Sequence, residues 1–237
     1  MPRWHVIRPT FGMTACAITT FVLLVGLGTW QLHRLEWKEN LIAERAGKKV
    51  LPPLAISEVP DDDWRKLEHR RVTVRGRYQH DKEILIVNQT HRGQVGFQLI
   101  TPLATEGGVS ILIDRGWVPL TWPKGGLDNR RVPGTVKLTG VLRQGVRPNR
   151  WVPDNNPARD QWFFADVSQM AARAGLKNFR SYLIKVLPGL NEPRFPKSSP
   201  ASLKIRNKHL EYAITWFGLA MTLVIVFVAY HLRRPKW

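Results

Sequence analysis

The chain has 237 residues, a formal net charge of +18 and a pI near 10.8. Its one cysteine, Cys16, lies in an apolar stretch. The polar middle therefore has no disulfide, no thiolate metal site and no Cys-x-x-Cys-His haem attachment, while the positive balance suits nucleic acid, an anionic membrane surface or an anionic ligand.

Residues 1–10 form a short tail with Arg3 and Arg8. Phe11 to Trp30 carries no charge over twenty residues. That predicts a first transmembrane helix, since about 20 apolar residues cross roughly 30 Å of hydrocarbon. The stretch is long for a signal-peptide core, and no Ala-x-Ala-like site follows it. Ala15, Thr19, Gly26 and Gly28 offer small surfaces for close helix contact, as Gly218 and Thr222 do on a second apolar stretch. From Gln31 the helix is expected to run on, with Trp30, Arg34, Trp37 and Leu41 at helical spacing and Gly47 as its stop. Trp30 then falls at the membrane–water boundary, where its amphipathic ring is favoured. Arg34 reads there as a snorkelling interface charge.

Leu51 to Asp63 is a Pro-rich connection. Asp61 to Asp63 opens a short helix through Trp64, Leu67 and His69, its carboxylates complementing the helix dipole rather than holding a metal. Strand signals follow over 72–78, 84–87, 95–100, 109–118, 135–142, 162–165 and 182–186. Asp166 caps and Gly175 ends a one-helix insertion between the last two. His69, His80 and His91 show no ligand-like pairing and read as surface or turn residues, and Arg115 reads as a structural strand-end residue. Asn191 to Ser202 is a Pro/Ser-rich linker. From Tyr212 to Leu232, twenty-one residues carry no Asp, Glu, Lys or Arg, which predicts the second span.

The expected fold class is a membrane α+β protein. Two transmembrane helices flank a mainly antiparallel β domain, a small barrel or strongly curved sheet, with a few helices. The chain divides into tails 1–10 and 233–237, spans 11–30 and 212–232, and one domain over 31–211 with a net charge of +13. Charge leaves the orientation open. Arg3, Arg8, Arg233, Arg234 and Lys236 favour tails in the cytoplasm, but Arg34, Lys38, Lys204, Arg206 and Lys208 lie on the domain side, and a long loop escapes the positive-inside rule.

Four blocks resemble the surfeit-locus protein 1 family, whose members assist cytochrome c oxidase assembly. Gly28, Trp30, Gln31, Arg34, Trp37 and Lys38 look like the family's G-x-W-Q-x-x-R-x-x-W-K at the end of the first span. Asp114-Arg115-Gly116-Trp117-Val118-Pro119 is similar to its R-G-W/F-V-P strand. Pro153 to Pro157 with Arg159 and Trp162, and Asn207 to Phe217, look like its closing blocks. His33 departs from the pattern and takes no shared role. The resemblance implies a domain facing the bacterial periplasm or the mitochondrial intermembrane space. It also implies, for bacterial members, a histidine at the start of the second span that binds haem a and aids its delivery to oxidase subunit I, with haem a synthase as a further partner. His209 is the matching residue. Ten residues before the first span leave no room for a transit peptide, so a bacterial inner-membrane protein with a periplasmic domain is expected.

A neutral imidazole is a common axial donor to haem iron. His209 is therefore the candidate iron ligand, with Ala213 leaving space one turn on. Tyr212 and Trp216 are candidate aromatic walls, Trp30 a further contact, and Arg34, Arg206 or Lys208 candidate partners for the propionates. Glu211 or Asn207 is expected to orient the second ring nitrogen. The plain alternative is a polar histidine at a wet helix end with ordinary interfacial aromatics. Two functions follow: a membrane-anchored carrier of haem a in oxidase assembly, or a scaffold that grips an assembly intermediate without a cofactor. No Gly-x-Ser-x-Gly elbow, Walker loop, His-Glu-x-x-His or domain thiol points to an enzyme. A copper chaperone lacks soft sulfur ligands here, and no recognition motif supports nucleic-acid binding.

Overall fold

The structure is a computed structural model that describes residues 10–122, 131–145, 150–188, 195–198 and 207–232. The basic tails, Arg206 and most of the Asn191–Ser202 connection lie outside the described residues. The chain divides into two compact units: Met1–Glu44 with Lys204–Trp237, and Arg45–Leu203.

The first unit is a helix pair. Helix α1 runs Phe11–Val50 and α3 runs His209–His231. Both are long and apolar enough to cross a membrane; the 23 residues of α3 rise about 35 Å. Gly47 does not stop α1, which continues to Val50 and gives way before the Pro52–Pro53 pair, where a ring on nitrogen cannot continue a helix. On α3, Ala213 and Ala220 are buried. Gly28 is buried on α1, and a Cβ there would stand 2.7 Å from the Phe217 ring. His209 meets Gln31 at one end, and a 220 Å³ lateral cavity between Thr14–Phe21 and Leu223–Phe227 marks the other, so the helices run antiparallel. Of the small residues expected at the contact, Gly28 serves. Gly26 and Gly218 face open space, and Ala15, Thr19 and Thr222 are exposed.

The second unit is a small β-barrel. Strand β2 (Arg71–Tyr78) pairs antiparallel with both β4 (Gln94–Thr105) and β6 (Thr135–Arg143). Strand β4 pairs antiparallel with β5 (Ser110–Pro119), and β5 pairs parallel with β7 (Phe179–Val186), which returns antiparallel to β6. Five strands thus close a ring. Strand β1 (Leu54–Ala55) lies parallel on the first half of β2, and β3 (Ile84–His91) extends the first half of β4. Closure removes free edges from most of the sheet.

Alternation sets two large cores, beside a smaller one of Leu99, Val118 and Trp122. Val72, Val74, Leu103, Ile111, Ile113, Leu142, Tyr182 and Ile184 fill the barrel with Trp64 and Val59. Ile84, Ile86, Ile100, Leu112 and Leu183, on the opposite face, pack under helix α2 (Val167–Arg173) and Trp162. Asp166 caps α2 by accepting from the Gln169 N–H at 3.0 Å. Gly175 closes it at φ +62°, with Leu176 N–H bonding Ala171 C=O at 2.9 Å.

Three local expectations need correction. The Asp61–Asp63 cluster precedes only a 3₁₀ turn, Trp64–Leu67, and Asp63 bonds Lys66 instead of capping it. His69 leaves that turn at φ +70°, outside helical geometry. Trp162 to Ala165 makes one bridge, Trp162 to Ile86, and no strand, because Trp162 is buried as a plug with its Nε1–H on Asp160.

Candidate functional site: the histidine end of the helix pair

Helix α3 begins at His209, three residues before the apolar stretch. Its backbone N–H is taken by Asn207 Oδ1 at 3.4 Å. The His209 Nδ1 lies 2.7 Å from Gln31 Oε1 on α1. With the amide oxygen as acceptor, Nδ1 carries the proton and Nε2 keeps its lone pair. Among the described residues no hydrogen bond reaches Nε2. Glu211, expected to orient the ring, faces Lys208 at 3.9 Å instead. Asn207 reaches only the backbone.

Gln31 is the residue that sequence reasoning missed. It sits inside the Gly28–Lys38 block and continues the seam of less exposed positions Thr14, Ala17, Leu24 and Gly28. A polar amide on an apolar helix seam was the available signal, because helices in a membrane use such groups to bond one another.

Ala213, one turn beyond His209, is buried and adds no bulk beside the imidazole. Trp216 lies two turns along on the same face and is half-buried. Tyr212 follows His209 by three residues and Arg34 follows Gln31 by three. At about 100° per residue, in an antiparallel pair, both turn to the same flank of the seam. Tyr212 is 52% exposed there. The Arg34 guanidinium stands 4.0 Å over the Trp37 ring. Trp30 lies one residue, about 100°, from Gln31 and is 56% exposed. The structure thus couples His209 to Gln31, aligns Trp216 with it, and leaves Tyr212, Arg34 and Trp30 around the flank. Arg206 lies outside the described residues.

The β-unit has its own polar centre, which the sequence reading undervalued. A bulge in β5 opposes Ile100 to Asp114 and Leu99 to Gly116, so Arg115 is the extra residue. Its side chain is buried, with Nη1 donating to Glu83 Oε1 at 3.0 Å and the guanidinium 4.6 Å from the Tyr78 ring centre. His80 is no surface residue: its Nδ1–H donates to Glu83 Oε1 at 2.8 Å, and its Nε2 accepts the Val132 N–H at 3.2 Å. Arg115 is accordingly an internal ion-pair partner, not a strand-end support. Burial pushes the Tyr78 hydroxyl above its ordinary range, against the opposing pull of Arg115. This centre ties β3, β5 and the segment before β6 together.

A closed β-barrel that falls in chain order between two helices long and apolar enough to span a membrane, with a histidine–glutamine pair joining those helices, defines the class. The model of the SURF1 family matches residues 18–221, and the chain belongs to that family. It is 34% identical to a SURF1-like protein of Monosiga brevicollis, over 94% of this chain and 88% of that protein. It is 33% identical to Surfeit locus protein 1 of Homo sapiens, over 84% of this chain and 71% of that one. A SURF1-like protein of Rickettsia bellii is 29% identical over 90% and 88% of the two chains.

Proposed function

We propose that this chain is a membrane-anchored assembly factor for a haem-copper terminal oxidase, and that it holds haem a at His209 for delivery to subunit I without catalysing a reaction. The oxidase role rests on the family. The haem reading rests on one observation, the 2.7 Å contact of Gln31 Oε1 with His209 Nδ1, which holds the ring and, with the amide oxygen as acceptor, leaves Nε2 as a donor. Haem a, as cargo, supplies an iron with an axial position for such a nitrogen. The chain's own residues do the rest. Gln31 orients the ring, Ala213 keeps its surroundings clear, Trp216 and Tyr212 offer flat apolar walls, and Arg34 brings a cation to the same flank, with Trp30 beyond it. A single protein nitrogen suits a cargo that must leave.

In this reading the tails are cytoplasmic, residues 31–211 face the periplasm of a bacterial inner membrane, and haem a synthase is the donor partner. Nucleic acid is not a partner. The test is the absorbance spectrum of the protein purified from cells that make haem a. Wild type is expected to show haem bands, and His209→Ala to lose or shift them while the protein still inserts. An unchanged variant spectrum rejects His209. A colourless wild type rejects the cargo and favours a scaffold, which the 82% exposed Trp151 would serve as a grip for a protein partner.

A further inference from the structure

The outer face of the barrel holds a cavity of 390 Å³ that the helix-pair site does not use. It lies between the sheet and the Phe163–Ala165 segment. Strand register builds its floor. Asp114 on β5 stands beside Lys185 on β7, which stands beside Val141 on β6, and Leu183 stands beside Arg143. The β5 bulge sends Asp114 to this face while Arg115 turns into the interior centre.

Three ionisable groups meet here, and Lys185 and Arg143 both attract the Asp114 carboxylate from beyond ion-pair distance. Among the described residues no ion pair within 4 Å joins Asp114 to Lys185 or Arg143. Arg143 Nη1 bonds the ring nitrogen Nδ1 of His69 at 2.8 Å, an uncharged partner. Asp114 Oδ1 is occupied by the Gln98 amide and the Gly116 N–H. Desolvation pushes its carboxyl above the ordinary value of 3.8. The balance is two cations against a carboxyl that holds its proton more readily than a free one. The remaining walls set Ile86, Ile100, Leu183 and Phe163 beside the amides of Gln89, Gln98 and Gln144. The volume falls at the small end of ligand pockets, roughly 300–1,000 Å³.

We propose that this cavity binds an apolar carboxylate of medium chain length, its head group between Lys185 and Arg143 and its chain against Ile86, Ile100 and Leu183. Among the described residues neither cation has a carboxylate within ion-pair distance, and an incoming one completes both. The site is independent of His209.

The experiment is titration calorimetry of the full chain in lipid nanodiscs with octanoate, empty discs being subtracted. Octanol and octylamine are the controls. Saturable octanoate binding is expected in wild type and in His209→Ala alike. Lys185→Met should weaken it about tenfold, the worth of one charge-assisted hydrogen bond. Asp114→Asn should bind at least as tightly as wild type. If Lys185→Met melts early, Arg143→Gln carries the same test. Absence of saturable heat beyond empty discs overturns the proposal. So does equal binding of octanol or octylamine, or octanoate binding unaltered in a folded Lys185→Met protein.

Discussion

Gln31 and Asp114 are two single residues on which chemistry turns, one in each unit. Gln31 holds the His209 ring by a 2.7 Å bond across the helix seam. Replacing the amide by an alkyl group frees the tautomer and the ring torsion while keeping the volume of the seam. On the haem role proposed for His209, Gln31→Leu is therefore expected to weaken haem retention about 10–100-fold, the usual loss when a ligand's orienting partner is removed. Quantitative haem titration of the purified variant measures it, with His209→Ala as the fully depleted reference. Asp114 makes a separate, pH-dependent contribution. Its folded carboxyl lies above the unfolded value of 3.8, so the folded chain binds the proton more tightly. The stability linked to that proton is complete below about 3.8 and is lost as pH rises through the higher folded value. Asp114→Asn keeps the acceptor for Gln98 and Gly116 and abolishes the titration. It should flatten the fall in melting temperature above pH 4 and leave the neutral-pH protein no less stable than wild type.

Strand β5 carries a tight constraint at its bulge. Its bulge needs Gly116 at φ +118°, a region that side chains avoid. A Cβ there would also stand 2.3 Å from the Lys197 carbonyl oxygen. That approach exists because Trp117 and Lys197 exchange backbone hydrogen bonds of 2.9 and 2.8 Å. Gly116→Ala should cost about 1–3 kcal/mol through backbone strain alone. Hydrogen exchange at the Trp117 and Lys197 amides reads it directly: protection there should fall before protection in β2 does. Retained protection at both amides would contradict this account of the bulge. Helix α2 is the opposite case, an element with local signals at both ends, and Asp166 and Gly175 act as their positions in the chain suggest.

The barrel as a whole depends on the short seam between β2 and β4. Gly76 lies on it opposite Thr105, and a Cβ there would stand 2.4 Å from the Ala104 carbonyl oxygen. Gly76→Val should force the seam open at about 1–3 kcal/mol, the typical cost of overpacking. Amide exchange would then rise at Arg77 and Leu103 while the longer β2–β6 pairing stays protected.

Much of this architecture is legible without a structure. Two apolar stretches of spanning length, period-two strands and the capped α2 follow from local chemistry, because hydrophobic periodicity and capping act within a few residues. His209 is also legible, as a polar residue at the head of an apolar helix. What the chain alone could not state is pairing across distance. The parallel neighbours β5 and β7, the closure of β2 on β4, the Glu83 partnership of Arg115, and the bond from Gln31 to His209 join residues from 25 to 178 positions apart. Local propensity carries no term for such separations, since ring closure and helix packing are decided by how whole faces fit. Local chemistry along the chain was enough for the two apolar stretches of spanning length, the long strands and helix α2. Only the tertiary structure decided which nitrogen of His209 is held and which way Asp114 and Arg115 face, because both depend on a neighbour brought from elsewhere in the chain.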